Sequence, residues 1–152
     1  MRHLLLLLVL IGFACSRAGS GAPIRTDRQR YSPAAEELSI QTVYTNSTDR
    51  TVDLSLSGCS APVFSVEKED GGQWIPAGGP ICPAIYYPPI PVAPGARYAD
   101  TLRLHVEHLQ AAAPPGTYRL VYEIRVPVEG SDLPGELLPR DARVSNPFVI
   151  TR

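Results

Sequence analysis

The sequence predicts an all-β sandwich of antiparallel strands, set behind an export signal and a flexible tether. Three features of the chain predict it. Short segments alternate apolar and polar residues with period two, the spacing that lays one face of a strand on a core. Proline and glycine, at 16 and 12 residues, fall between these segments rather than in a repeat, so they mark turns. Behind the leader, only "EHLQAAA" has a helical pattern, and then for a turn or two.

The chain opens with Met1, Arg2 and His3, a short positive start, and continues with an apolar run from Leu4 to Phe13. A helix of that length rises about 15 Å, half of a ~30 Å hydrocarbon core, so it is too short for a stable membrane span. A charged start, a short apolar stretch and small residues behind it make a secretory signal, predicted over 1–14. The mature chain is therefore expected outside the cytoplasm. Without the leader about 135 residues remain, one ordinary domain plus a tether.

Ala14 and Cys15 end the apolar run in a way that resembles the lipobox of bacterial lipoproteins. The resemblance implies that Cys15 carries diacylglycerol and would incorporate palmitate, anchoring the protein to the cell envelope. Ser16 after the cysteine implies the outer membrane, facing the periplasm, in a cell with two membranes. Gly12 and Phe13 depart from the lipobox, and Gly12-Phe13-Ala14 also fits ordinary signal cleavage. A soluble secreted protein is thus the alternative.

Residues 15–35 show little apolar periodicity and read as a tether, leaving 36–152 as the folded domain. "LSIQTVYT" (Leu38 to Thr45) is the first strand, and "NSTDR" is a turn. "TVDLSLS" sets Val52, Leu54 and Leu56 on one face. "PVFSVEKE" meets Asp70-Gly71-Gly72, a hairpin signal, before "QWI". "YADTLRLHV" aligns Leu102, Leu104 and Val106. "YRLVYEIRV" does the same with Leu120, Tyr122, Ile124 and Val126, and "NPFVIT" supplies the last strand. Leu54, Leu120 and Ile124 are core candidates.

"APPGTYRL" resembles the tyrosine corner of Greek-key sandwiches, with Ala113 where leucine is usual. Pro115-Gly116 makes the turn, and Tyr118 would return its hydroxyl to a nearby backbone group. This makes the expected sandwich immunoglobulin-like. The domain from Leu38 to Ile150 also resembles small bacterial immunoglobulin-like modules, among them the BsuPI-type proteinase-inhibitor domain. That resemblance rests on Asn46, on Asp70-Gly71-Gly72 before Trp74, on Pro94-Gly95 and on Gly116-x-Tyr118. These are fold-level signals, and they imply proteinase inhibition only as one use of the fold.

Three cysteines are present: Cys15, Cys59 and Cys82. With Cys15 acylated or removed, export predicts a Cys59–Cys82 disulfide. A bridge over that spacing adds about 3 kcal/mol on the chain-entropy account. Two thiols without a suitably placed histidine make a metal site the weaker use.

The sequence points away from catalysis. Net charge is −1, so no basic field draws nucleic acid. No G-x-S-x-G elbow and no phosphate cradle is present, and the carboxylates are scattered. His105, Glu107 and His108 in "HVEH" invite a metal reading, but residues three apart on a strand face opposite ways. They converge only if the strand gives way to helix there. No catalytic residue, cofactor or metal is expected. Asn46-Ser47-Thr48 has the form of a glycosylation sequon, yet a polar turn explains it equally. Trp74 reads as core or near-core.

"GGPICPAIYYPPIPVAPG" is the informative interior stretch. It is proline-stiffened, tied at Cys82, and carries Tyr86 and Tyr87 side by side. Stiff loops lose little entropy on binding, and tyrosines are common anchors. The expected function is a non-catalytic, envelope-anchored binding module that holds a protein partner through Tyr86 and Tyr87. One alternative is a proteinase inhibitor using the Cys82–Gly95 loop. The other is a structural spacer or assembly factor, with the tyrosines merely packed on the barrel.

Overall fold

Alternation in Leu38, Ile40, Thr42 and Tyr44 buries every second residue of a nine-residue strand, as a half-buried strand requires. The computed structural model describes residues 21–33, 36–85, 87–109, 115–131 and 133–151. Across them the chain is nearly all-β. In order the strands are β1 (Ile24–Thr26), β2 (Arg30–Tyr31), β3 (Glu37–Thr45), β4 (Val52–Leu54), β5 (Phe64–Asp70) and β6 (Gln73–Gly78). After them come β7 (Ile90–Val92), β8 (Arg97–His105), β9 (Gly116–Tyr122), β10 (Ile124–Val126), β11 (Glu136–Leu137) and β12 (Phe148–Ile150). Helix among the described residues is confined to two 3-10 turns, Val106–His108 and Arg140–Arg143.

The strands form three sheets, ordered β1-β3-β8, β11-β10-β4-β7 and β2-β12-β9-β5-β6. Neighbours pair antiparallel except β2 with β12. The β5–β6 hairpin turns at Gly71 and Gly72, both at positive φ (+56° and +82°), where a side chain would strain the backbone. One apolar core joins the sheets. Tyr44, Tyr118, Tyr122 and Phe148 are its largest fully buried side chains, with Leu54, Leu120 and Ile124 among them. Burial pushes the Tyr44 hydroxyl up to about 12 from its ordinary 10.0.

Two expectations need correction. Residues 24–31, read as tether, carry β1 and β2. Ile24 and Tyr31 are buried in the core, with Ile24 opposite Tyr44 and the Tyr31 ring edge-on to Phe148 at 5.4 Å. Each is a lone apolar residue among polar ones, so no periodicity announces it. The strand expected through "YRLVYEIRV" also divides at Glu123. Its N–H donates to the Val63 carbonyl while its carbonyl accepts from Ser55 N–H. β9 therefore belongs to one sheet and β10 to the next.

Candidate functional site

The site is built on the connection between β6 and β7, because this is where the chain is both pinned and exposed. Cys59 and Cys82 form a disulfide with their Cα atoms 5.4 Å apart. The segment that carries Cys59 is itself held. Ser57 donates its backbone N–H to the Ala61 carbonyl at 2.8 Å, and Ser60 donates to Ser57 at 2.9 Å. Gly58 lets the two segments meet, since a Cβ there would run into the Pro83 carbonyl. At its start the connection is fixed by a bridge between Gly78 and Leu109. Pro80, Pro83, Pro88 and Pro89 limit its backbone further.

Aliphatic side chains stand out from this rigid segment. Ile81 is 77% exposed and Ile85 51%, against a core in which isoleucine is fully buried. Both stand on a segment held by the cross-link and by prolines. Tyr87 is half-buried and lies outside the strands. Tyr86 and Cys15 lie outside the described residues. Sequence reasoning did not single out Ile81 and Ile85, because an aliphatic side chain by itself does not announce exposure.

Beside the loop lies a cleft of about 450 Å³. Ser60, Ile81 and Cys82 form one wall, and Asp100, Arg103, His105 and His108 form the other. The second wall follows from β8 and the 3-10 turn after it. Because the strand gives way at Val106, the His105 and His108 rings come within 5.5 Å, where an uninterrupted strand would have kept them apart. Glu37 reaches Arg103 Nη1 at 3.6 Å and His105 Nε2 at 3.4 Å. Among the described residues no group of three or more His, Cys, Asp or Glu is placed to hold a metal ion.

Asp100 is the unusual residue of the cleft. It alternates with Leu102 and Leu104, so its side chain turns inward, and Oδ2 is buried without a hydrogen-bond partner among the described residues. Oδ1 accepts from Thr101 N–H at 2.7 Å. Burial raises the nearby Tyr98 hydroxyl, and the Asp100 charge adds to the shift.

Other residues singled out in the sequence have structural surroundings. Tyr118 is buried against Phe148, with ring centroids 6.5 Å apart. Trp74 stands half-buried on β6 under the Arg119 guanidinium, 4.3 Å from its ring. Arg119 also pairs with buried Glu67 at 2.8 Å, and Arg140 joins the same carboxylate. Asn46 is fully buried, and its Nδ2 donates to the Arg50 and Val92 carbonyls at 2.8 Å each. In this fold the sequon nitrogen has no hydrogen left to replace.

No protein-family model matches the chain, and no curated protein matches it. Among solved structures the chain is similar to Pseudomonas fluorescens alkylpurine DNA glycosylase AlkC bound to DNA containing an abasic site analog, with 8% identity and a TM-score of 0.40. The likeness covers 89% of this chain and 32% of that one, so this chain spans about a third of that protein's length. A likeness this loose carries no argument about activity.

Proposed function

We propose that the chain is a non-catalytic binding module that holds a protein partner through its disulfide-pinned loop. The observation that carries this reading is the exposure of Ile81 and Ile85 on a loop fixed by a cross-link and prolines. Such a loop is ordered before it binds, so its partner meets apolar anchors whose ordering cost is already met by the fold. An immunoglobulin-like Greek-key arrangement is supported by the antiparallel pairing of non-consecutive strands, β3 with β8, β4 with β10 and β5 with β9. Envelope attachment through a lipid on Cys15 is supported by Ala14-Cys15 behind the apolar leader.

Photo-crosslinking in the envelope tests the reading. Benzoylphenylalanine in place of Ile85 should join the protein to one predominant partner. The same group in place of Leu133, another exposed apolar residue on a different loop, should not. Equal or absent adducts at both positions would remove the loop as the binding surface. A protease as the captured partner would turn the module into an inhibitor.

A further inference from the structure

The nine residues of β8 pair with β3 on one side only, and among the described residues no strand covers the other side. In an antiparallel pair, alternate residues direct their backbone groups to the partner strand. On β8 these are the even positions. Val106 N–H donates to Glu36 and Asn46 N–H donates to Ala96, which fixes the phase at both ends. The N–H and C=O groups of Ala99, Thr101 and Arg103 therefore face outward. Thr101 N–H shows the direction, since it is taken by a side chain, Asp100 Oδ1, rather than by a strand. This outward edge is also the wall of the cleft, with the stapled loop opposite.

An edge strand of this length is a template for another chain, and proteins guard such edges with charge. Here the guards are Arg97 and Arg103 on the exposed face and Asp100 turned inward. Arg103 has Glu37 as its counter-charge, but no ion pair reaches Asp100 among the described residues. A strand added to β8 places the residue opposite Asp100 on the same face as Asp100. An apolar residue there leaves the carboxylate without a counter-charge, an acidic one repels it, and a basic one neutralises it. The charge that turns away indiscriminate strands thus selects one kind.

We propose that the cleft between β8 and the stapled loop receives an extended peptide segment of the partner, paired with Ala99, Thr101 and Arg103, with a lysine or arginine set opposite Asp100. The proposal rests on the loop being the binding surface, and it names the segment that surface grips. Main-chain pairing supplies affinity, and the carboxylate supplies selectivity. On binding, a peptide carbonyl replaces Asp100 Oδ1 at Thr101 N–H and leaves the carboxylate to the incoming cation.

The test uses the oxidised full-length protein and a blocked heptapeptide probe, Thr-Val-Thr-Lys-Thr-Val-Thr. Saturation should slow hydrogen exchange at the amides of Ala99, Thr101 and Arg103 by about tenfold or more, and leave Leu102, already turned toward β3, unchanged. N-methylation of the probe amides on one edge should abolish binding, and on the other edge should leave it intact. Glutamate in place of the probe lysine should weaken binding at least about fivefold. Asp100→Asn, which keeps an oxygen for Thr101 N–H, should erase that preference. No binding at millimolar probe, or binding without slowed exchange on β8, overturns the proposal. If crosslinking through Ile85 still succeeds in that case, the loop stands as the binding surface and only the edge is wrong. If β8 responds to the probe while Ile85 captures nothing, the loop reading fails instead.

Discussion

The amide of Asn46 uses both of its hydrogens and both of its lone pairs. Nδ2 donates to the Arg50 and Val92 carbonyls, while Oδ1 accepts from Thr48 N–H at 3.0 Å and Thr48 Oγ1 at 2.7 Å. These bonds tie the turn after β3 to the end of β7. Removing a buried side chain of this kind strands several polar groups, each costing about 1–3 kcal/mol when left unsatisfied. Asn46→Ala should therefore lose about 2–4 kcal/mol in urea unfolding. Asn46→Asp should be no better, because a carboxylate oxygen would face two carbonyls. A loss under about 0.5 kcal/mol, the size of an ordinary surface change, would contradict this role.

At the scale of the element, the stapled loop owes its shape to the Cys59–Cys82 bridge and to the close approach at Gly58. Replacing both cysteines by serine should cost about 3 kcal/mol, or roughly 10 °C in Tm. Hydrogen exchange should quicken between 79 and 85 while β3 and β9 keep their protection; unchanged exchange there would mean the prolines hold the loop unaided. Strands were legible in the sequence where one face is buried and one is wet, as in β3, because burial alone then sets the period. The division at Glu123 was not, since Leu120, Tyr122 and Ile124 are all buried although two sheets share them. Nor was the meeting of His105 with His108, which depends on a 3-10 turn replacing the last step of a strand. Of the site, the staple and its loop were legible from cysteine and proline positions. The exposed isoleucines were not, because side-chain type alone does not tell an outward aliphatic residue of a loop from a buried one.

Across the whole molecule, one core made from three sheets leaves exposed aliphatic side chains in two separate loops. Ile81 and Ile85 stand on the stapled loop, while Val128 and Leu133 stand between β10 and β11. Only the first loop carries a cross-link, and its Ile81 lines the cleft along β8. With a net charge of −1, long-range steering contributes little, so affinity depends on local contacts. An envelope anchor would add to this by confining the module near membrane-bound partners. The most direct test is the affinity of the captured partner for two double variants, measured by calorimetry beside thermal melts. Ile81→Asp/Ile85→Asp should weaken binding at least about a hundredfold, as the loss of two anchors does, with the melt unchanged. Val128→Asp/Leu133→Asp should bind like the wild type. Full affinity in the first variant, or a loss confined to the second, would contradict the stapled loop as the binding surface.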